Sequence, residues 1–284
     1  MQHDITKVLL VVNLSKDDAG CLMEEVVSYL EGQGIEVGLH TFKGKPEPFD
    51  FSGNDLIFSL GGDGTVLYCA REVCTYGTPI LAVNLGNFGF ITETARDEWK
   101  EAFTAFREGL LSLSERMMLG AVVVRDGAEA ASFPGLNDVV INNRGLSKLI
   151  RIRAFCNGTP IGVYRSDGII VATPTGSTAY SAAAGGPILA PDIEAVIITP
   201  ICPFTLSNRP IVVPGNSSID IEIEQDQKTD ILLTVDGQNT LNILPGDRIH
   251  ISGAGRKARI IRSNRRNFYE VLRSKLNWTG GPDA

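Results

Sequence analysis

The sequence contains few of the residues from which many catalytic sites are built. Only three histidines occur among its 284 residues, His3, His40 and His250, and no two of them are neighbours. Isolated histidines give little support to a histidine metal site or to a histidine acting as a catalytic base. We therefore expect any catalytic proton transfer to fall to carboxylates.

Cysteines are also few, and none belongs to a C-x-x-C pair. The five are Cys21, Cys69, Cys74, Cys156 and Cys202. An odd number of scattered cysteines favours reduced thiols over disulfides or zinc ligands.

A long apolar run is missing as well, since no stretch of about 18 apolar residues could span a bilayer. No charged start leads into an apolar segment with a small-residue cleavage site. The formal net charge of −7 argues against nonspecific nucleic-acid binding, although a local basic patch could still meet a phosphate-bearing ligand. We expect a cytoplasmic protein whose partners include neither nucleic acid nor membrane.

The hydrophobic content of 43% is enough to fill real cores, and the first hundred residues alternate between strand and helix patterns. Short apolar runs at Val8–Val12, Asp55–Leu60 and Pro79–Val83 predict buried parallel strands. Helical spacing of apolar residues in Leu22–Leu30 and Thr65–Tyr76 predicts helices between strands. Residues 1–100 are thus predicted to form an α/β domain with a mainly parallel sheet.

Beyond the amphipathic stretch Asp97–Leu110, helical patterns almost vanish. Short β-branched runs separated by Gly, Pro, Asn and Asp predict an all-β, sandwich-like domain over residues 101–262. Helical spacing returns in Phe268–Leu276, so the tail of residues 263–284 is predicted to form a helix that packs back on the first domain.

A glycine-rich turn follows the predicted strand that ends at Leu60. It reads Gly61-Gly62-Asp63-Gly64-Thr65 and runs directly into a predicted helix. In parallel sheets, ligands bind at the carboxyl ends of strands, where the next helix offers N–H groups to anions. Asp63 in such a turn suits a base for a hydroxyl, or a group acting through a divalent cation. The alternative is an ordinary tight turn with an Asp cap.

A second segment rich in glycine and hydroxyl groups covers Asp167–Ser181 and continues into Ala184–Pro187. Its hydroxyl and N–H groups could grip ribose and phosphate oxygens, while Tyr180 could stack on a base. The alternative is a hydroxyl-rich turn that seals a β-sandwich. Neither a Walker A loop nor a G-x-G-x-x-G after the first strand occurs.

These two segments together resemble the NAD kinase family, and the resemblance runs nearly from end to end. The first motif alone would not decide, because lipid kinases and phosphofructokinases of related architecture share it. Further similar segments are Asn84–Phe90, Asn137-Asp138, Thr199–Pro203, Thr205–Pro210 and Asp236–Gln238.

The resemblance implies an N-terminal Rossmann-like α/β domain, a C-terminal β-rich domain and an active site between them. It also implies NAD and ATP as substrates, a divalent cation such as Mg²⁺, NADP as product, and a homodimer or homotetramer. The resemblance leaves the metal ligands unknown.

Residue by residue, the resemblance implies that Asp63 accepts the proton of the adenosine ribose 2′-hydroxyl. The donor phosphates would meet Gly61, Gly62, Gly64 and Thr65. NAD would be bound by Asp63, Gly64, Asn137, Asp138, Lys148, Arg165, Asp167, Thr175, Thr178, Ala179, Tyr180, Ser181, Ala182, Ala183 and Gln238.

Three positions depart from the family pattern. Ala182 and Ala183 replace a Leu and a Ser, and Phe204 stands where a His is common, which leaves donor preference and pocket detail open. Other interpretations also stay open: Asp138 as a turn residue, Lys148 on a solvated strand face, a lipid or sugar-phosphate kinase of the same fold, or a catalytically silent NAD(P)-binding regulator.

Overall fold

The computed structural model describes residues 3–86, 89–145, 149–205, 207–225 and 229–276. Contacts between Cα atoms divide the chain into two compact units. The first unit is Met1–Glu115 with Ala258–Ala284, and the second is Arg116–Lys257. The helix Trp99–Arg107 is thereby assigned to the first unit, whereas the boundary expected from composition lay near residue 100, before most of that helix.

The strands in chain order are β1 (Lys7–Asn13), β2 (Glu36–Phe42), β3 (Leu56–Gly61), β4 (Ile80–Asn84), β5 (Thr94–Ala95), β6 (Leu113–Arg125), β7 (Ala128–Gly135), β8 (Asp138–Asn143), β9 (Ile150–Cys156), β10 (Thr159–Ser166), β11 (Gly168–Ala172), β12 (Ala195–Ile201), β13 (Ile211–Pro214), β14 (Ile219–Ile223), β15 (Ile231–Val235), β16 (Asn239–Ile243) and β17 (Arg248–Ile261). The α-helices are α1 (Ala19–Glu31), α2 (Asp63–Val73), α3 (Trp99–Arg107), α4 (Tyr180–Ala183) and α5 (Phe268–Leu276).

The first unit contains a parallel sheet in the order β2-β1-β3-β4, and the last residues of β17 run parallel to β4. Every residue of β3 and β4 is buried. Apolar runs without alternation are typical of parallel strands that are covered on both faces. The predicted α/β fold of this region is confirmed.

Helices α1 and α3 contribute to one core with β1 and β3. Leu22, Val26 and Leu30 supply the buried stripe of α1 at helical spacing. From α3, Trp99 and Phe103 pack against Phe58 of β3 at ring-centroid distances of 6.1 and 5.6 Å.

The C-terminal helix α5 belongs to the first unit, as predicted. It buries Val271 and Leu272. The segment before it is held by Glu98, whose carboxylate accepts hydrogen bonds from both terminal nitrogens of Arg266, at 2.6 and 2.9 Å, and from Ala95 N at 2.8 Å. The Arg266 hydrogen bonds hold the pKa of Glu98 below its usual value.

The second unit contains an antiparallel sheet in the order β13-β12-β11-β8-β15-β16. A second set of strands, β10-β9-β14-β17, lies against it through a shared aliphatic core, and β6 pairs with β17 and β7. Alternate residues of the strands enter this core, such as Val139 and Ile141 of β8 and Ile219 and Ile221 of β14. The predicted sandwich-like domain is confirmed.

Local structure differs from expectation in one segment of this unit. The hydroxyl-rich stretch after β11, for which no helix was predicted, forms a 3₁₀ turn at Thr175–Thr178 followed by α4. Short turns built of glycine and hydroxyl residues are difficult to predict from sequence, because they contain no periodic pattern of apolar residues. Among the described residues, no helix is long and apolar enough to cross a membrane.

We expect Arg266→Met to lower the free energy of unfolding by about 1–3 kcal/mol, because it removes both charged hydrogen bonds to the largely buried Glu98 carboxylate and leaves only the longer Arg265 ion pair at 3.5 Å. Arg96→Met is the matched control, since Arg96 and Asp18 form an exposed ion pair worth at most about 1 kcal/mol. Urea unfolding at neutral pH measures both. Equal losses in the two variants would show that Glu98 does not hold the C-terminal segment.

Candidate functional site

The glycine-rich turn of the first unit lies between β3, which ends at Gly61, and α2, which begins at Asp63. A Cβ at Gly61 would collide with the Thr65 side chain, so the chain can turn this tightly only with glycine there. Gly62 has open space beside it. Thr65 is buried, and its hydroxyl has no hydrogen-bond partner. The start of α2 therefore combines a close backbone turn with an unsatisfied polar atom.

The Asp63 carboxylate does not cap its own helix, since α2 has Gly62 as N-cap and no side-chain cap bond. Instead it binds the segment that follows β4. Oδ2 accepts from Phe90 N at 2.8 Å, and Oδ1 accepts from Ile91 N at 3.2 Å, Thr92 N at 3.0 Å and Thr92 Oγ1 at 2.9 Å. The alternative of an ordinary Asp cap is therefore not what the turn contains.

Close packing accompanies these bonds. A Cβ at Gly89 would collide with the Asp63 carboxylate, and Thr92 Oγ1 also accepts from Asn84 Nδ2 at 3.0 Å and Gly89 N at 3.1 Å. A carboxylate offers about four lone-pair positions, two on each oxygen. Three of the four donors address Oδ1 and only Phe90 N addresses Oδ2, so among the described residues Oδ2 is the oxygen with room to take a proton from a substrate.

The second unit contains a cavity of about 300 Å³. It is lined by Asn137, Asp138, Val140, Asn142, Ala179, Tyr180, Thr234, Asp236 and Gly237. Four of these, Asn137, Asp138, Ala179 and Tyr180, were named above as NAD-binding residues. Two motifs about forty positions apart in the sequence thus meet at one cavity.

The β8 strand explains why the cavity takes this form. Its alternating residues Asp138, Val140 and Asn142 face away from the sandwich core, and Thr234 of β15 is the register partner of Val140. Val140, Asn142 and Thr234 line the cavity but were not predicted from the sequence. The alternation in β8 could have indicated Asn142, but only strand pairing reveals Thr234.

Asn137 and Thr175 each carry a buried side-chain oxygen, Oδ1 and Oγ1, with no hydrogen-bond partner. Buried polar atoms in native proteins are nearly always paired, and each exception calls for an explanation. A ligand that donates hydrogen bonds would supply one.

Asp138 is the most perturbed acid at the cavity. Burial, reinforced by the nearby charge of Asp236, raises its pKa to about 7. The group is only 5% exposed. Near neutral pH it is therefore poised between an acceptor-only carboxylate and an acid that can donate a hydrogen bond.

The remaining predicted residues of the second unit lie outside the set that lines this cavity. They are Arg165, Asp167, Thr175, Thr178, Ser181, Ala182, Ala183 and Gln238. Ser181 is engaged internally, because its hydroxyl lies 3.1 Å from Thr199 Oγ1 in a buried pair. Thr178 donates to Thr175 O at 3.3 Å. Lys148, and the segment residues Asn87, Phe88 and Leu206, lie outside the described residues.

Phe204, one of the departures from the family pattern, packs on a predicted site residue. The Arg165 guanidinium lies 5.3 Å from the Phe204 ring centroid, and Phe204 N donates to Arg165 O at 2.8 Å. The aromatic ring therefore holds the arginine by a cation–π contact.

A protein-built metal cage is not found in the described parts of the chain, where no three His, Cys, Asp or Glu side chains cluster. Mg²⁺ commonly binds through one or two carboxylates plus substrate phosphates, and Asp63 is the carboxylate at the start of α2.

Comparison with known proteins gives consistent matches. The family described as "ATP-NAD kinase N-terminal domain" matches residues 41–111, and "ATP-NAD kinase C-terminal domain" matches residues 136–263. The chain is 41% identical over 275 residues to the NAD kinase of Treponema denticola, covering 96% of this chain and 97% of the relative. It is 44% identical over 271 residues to that of Syntrophotalea carbinolica, covering 92% and 94%.

Two solved structures are similar in fold. An NAD kinase from Archaeoglobus fulgidus in complex with ATP matches with a TM-score of 0.75 and 26% identity, covering 94% of this chain and 98% of that one. Yeast NADH kinase complexed with NADH matches with a TM-score of 0.84 and 23% identity, covering 98% and 89%. From the matches along nearly its whole length, the chain belongs to the NAD kinase family of phosphotransferases.

Proposed function

We propose that this chain transfers the γ-phosphoryl group of ATP to the 2′-hydroxyl of the adenosine ribose of NAD, giving NADP. The observation that carries the proposal is the cavity where Asn137 and Asp138 meet Ala179 and Tyr180. These residues match the family's motifs, and they bring acceptor oxygens and an aromatic ring to one concave surface, which suits a nucleoside.

The cavity takes one nucleoside half of NAD. Asn137 Oδ1 and the Asp138 carboxyl group accept hydrogen bonds from ribose hydroxyls, and Tyr180, which is 44% exposed, packs on the base. Arg165, held by Phe204, supplies positive charge to the NAD pyrophosphate. The other predicted contacts of the Thr175–Ala183 segment and Gln238 belong to the same proposal.

The donor phosphates bind at the start of α2. The Gly61-Gly62-Asp63-Gly64 backbone approaches them closely, the positive end of the helix dipole attracts them, and the buried Thr65 hydroxyl supplies a further donor. A divalent cation, most simply Mg²⁺, would be held chiefly by the donor's phosphate oxygens and would neutralise charge on them.

Asp63 is proposed as the base. As the 2′-oxygen attacks the γ-phosphorus in line, its proton passes to the Asp63 carboxylate, the bond to the bridging oxygen breaks, and ADP leaves with that electron pair. The hydrogen bonds from Phe90, Ile91 and Thr92 stabilise the anion before transfer, and Oδ2, which accepts only from Phe90 N, takes the proton. A cytoplasmic location and a homodimer or homotetramer remain predictions from the sequence.

We expect the purified chain to make NADP from NAD, ATP and Mg²⁺, and Asp63→Ala and Asp63→Asn to lose about 10²-fold or more in turnover. An NADP-specific dehydrogenase assay measures the product. Thr92→Val is the control: it removes one donor to the carboxylate, and the acceptor of Asn84 Nδ2 and Gly89 N, but leaves the base, so turnover should stay within about tenfold of wild type.

These variants separate two roles of Asp63. If Thr92→Val lost as much turnover as Asp63→Ala, the carboxylate would matter as an anchor for the Phe90–Thr92 segment rather than as a base. If no variant differed from wild type, the catalytic assignment would be wrong. An inactive wild type that still binds NAD would favour the silent NAD(P)-binding regulator.

The raised pKa of Asp138 predicts a pH dependence of stability. Because the folded protein binds this proton more tightly than the unfolded chain, the stability due to the protonated group is complete below about pH 4 and is lost as pH rises through about 7. The asparagine of Asp138→Asn does not titrate, so this loss does not occur in the variant. The free energy of unfolding of Asp138→Asn minus that of wild type should therefore rise, on the order of a few kcal/mol, from pH 5 to pH 8.

Urea unfolding at both pH values measures this difference, with the exposed Glu129→Gln as control. Among the residues lining the cavity, Asp236 and Tyr180 are the other titratable groups, and both are retained in the two variants. Parallel pH profiles for wild type and Asp138→Asn would contradict the prediction.

A further inference from the structure

The corner between β7 and β8 carries the Asn137-Asp138 pair, and its backbone is bound on both sides. The corner is Leu136, Asn137 and Asp138, three residues whose N–H groups point toward one acceptor. Leu136 and Asn137 belong to neither strand, so the ladder of β-sheet hydrogen bonds does not fix them. Their geometry depends on side chains from elsewhere.

Asp236 provides the acceptor. Its Oδ2 accepts from Leu136 N at 2.9 Å, and its Oδ1 accepts from Asn137 N at 2.7 Å and Asp138 N at 3.2 Å. In return, Asp236 N donates to Asp138 O at 3.0 Å. The Asp236 side chain is delivered by the tight turn between β15 and β16, in which Asp236 and Gly237 both have positive φ.

Thr173 binds the same corner from the opposite side. Its Oγ1 donates to Leu136 O at 2.6 Å, and its N donates to Asn137 O at 2.9 Å. Gly176 N in turn donates to Thr173 Oγ1 at 3.1 Å, and a Cβ at Gly176 would collide with the Asn137 backbone. Thr173 is fully buried and does not line the cavity.

The side chains of the corner contrast with its backbone. Every N–H and C=O of Leu136, Asn137 and Asp138 has a partner in Asp236, Thr173 or a strand neighbour. Asn137 Oδ1, by contrast, is buried without a partner, and Asp138 is buried at the cavity wall. A backbone fixed at each polar group, carrying a buried side-chain acceptor that is left unsatisfied, is the arrangement expected of a preorganised ligand contact.

We infer that Asp236 and Thr173 are positioning residues, which set the Asn137 and Asp138 side chains for NAD by clamping the corner backbone between them. This inference rests on the proposed NAD site. An aspartate is needed at 236 because a carboxylate only accepts hydrogen bonds, whereas an asparagine would turn an N–H₂ group toward the corner's N–H groups.

The test measures NAD affinity by calorimetry on the full chain without donor, together with the KM for ATP and thermal unfolding. We expect Asp236→Asn to weaken NAD binding about tenfold or more, with the KM for ATP little changed. Asp247→Asn is the matched control. Asp247 is an equally buried carboxylate of the same unit, which accepts from Leu244 N and pairs with Arg125 away from the cavity. Its loss should lower stability and leave NAD affinity unchanged.

Variants of Thr173 distinguish a positioning role from direct ligand contact, because Thr173 does not line the cavity. Thr173→Val keeps the shape but removes the hydroxyl, and should weaken NAD binding about 3–10-fold. Thr173→Ser restores the hydroxyl and should restore affinity. The same pair decides the question if Asp236→Asn does not fold.

Folded Asp236→Asn with wild-type NAD affinity would overturn the inference. So would equal affinities of Thr173→Val and wild type, or a loss in Thr173→Val that serine does not rescue. Failure of the wild type itself to bind NAD would instead overturn the proposed function, and this inference with it.

Discussion

A carboxylate that binds the N–H groups of three consecutive residues is the interaction on which both candidate sites depend. Asp63 does this for Phe90, Ile91 and Thr92, and Asp236 does it for Leu136, Asn137 and Asp138. Irregular backbone leaves its polar groups without ladder partners, and an unpaired buried amide costs free energy. A single carboxylate with several acceptor positions can accept hydrogen bonds from all the N–H groups of such a run, for which several neutral side chains would otherwise be needed.

This arrangement requires the bonded segments to approach each other closely, and in each unit a glycine gives the room for it. Gly89 lies against the Asp63 carboxylate, and Gly176 lies against the backbone of Asn137, so neither position has room for a Cβ. At Gly176 the requirement is packing distance rather than left-handed backbone geometry, since its φ is not positive. Glycine-rich motifs around nucleotides are usually explained by room for phosphates. Here part of the glycine requirement comes from the protein's own hydrogen bonds.

Features that depend on residues close together in the sequence could be predicted, whereas those that depend on distant residues could not. The buried strands β3 and β4 and the turn at Gly61–Thr65 are local patterns, and they were predictable from apolar runs and glycine spacing. The resemblance to NAD kinases further indicated Asn137, Asp138 and Tyr180, which the fold brings to one cavity. The roles of Asp236, Thr173 and Thr92 were not predictable, because each binds a segment that is distant in sequence and no periodicity reports such a pairing.

At the corner of Leu136, Asn137 and Asp138 an unsatisfied side-chain acceptor lies on a firmly held backbone, and this has an energetic meaning. A buried polar atom without a partner costs about 1–3 kcal/mol, and a carboxyl group whose pKa lies near 7 adds the cost of keeping a charge in an apolar site. A flexible corner would relax so that Asn137 Oδ1 found a partner within the protein. Because Asp236 and Thr173 prevent that relaxation, the stabilisation is withheld from the free protein and becomes available to a ligand that donates hydrogen bonds, as a ribose does.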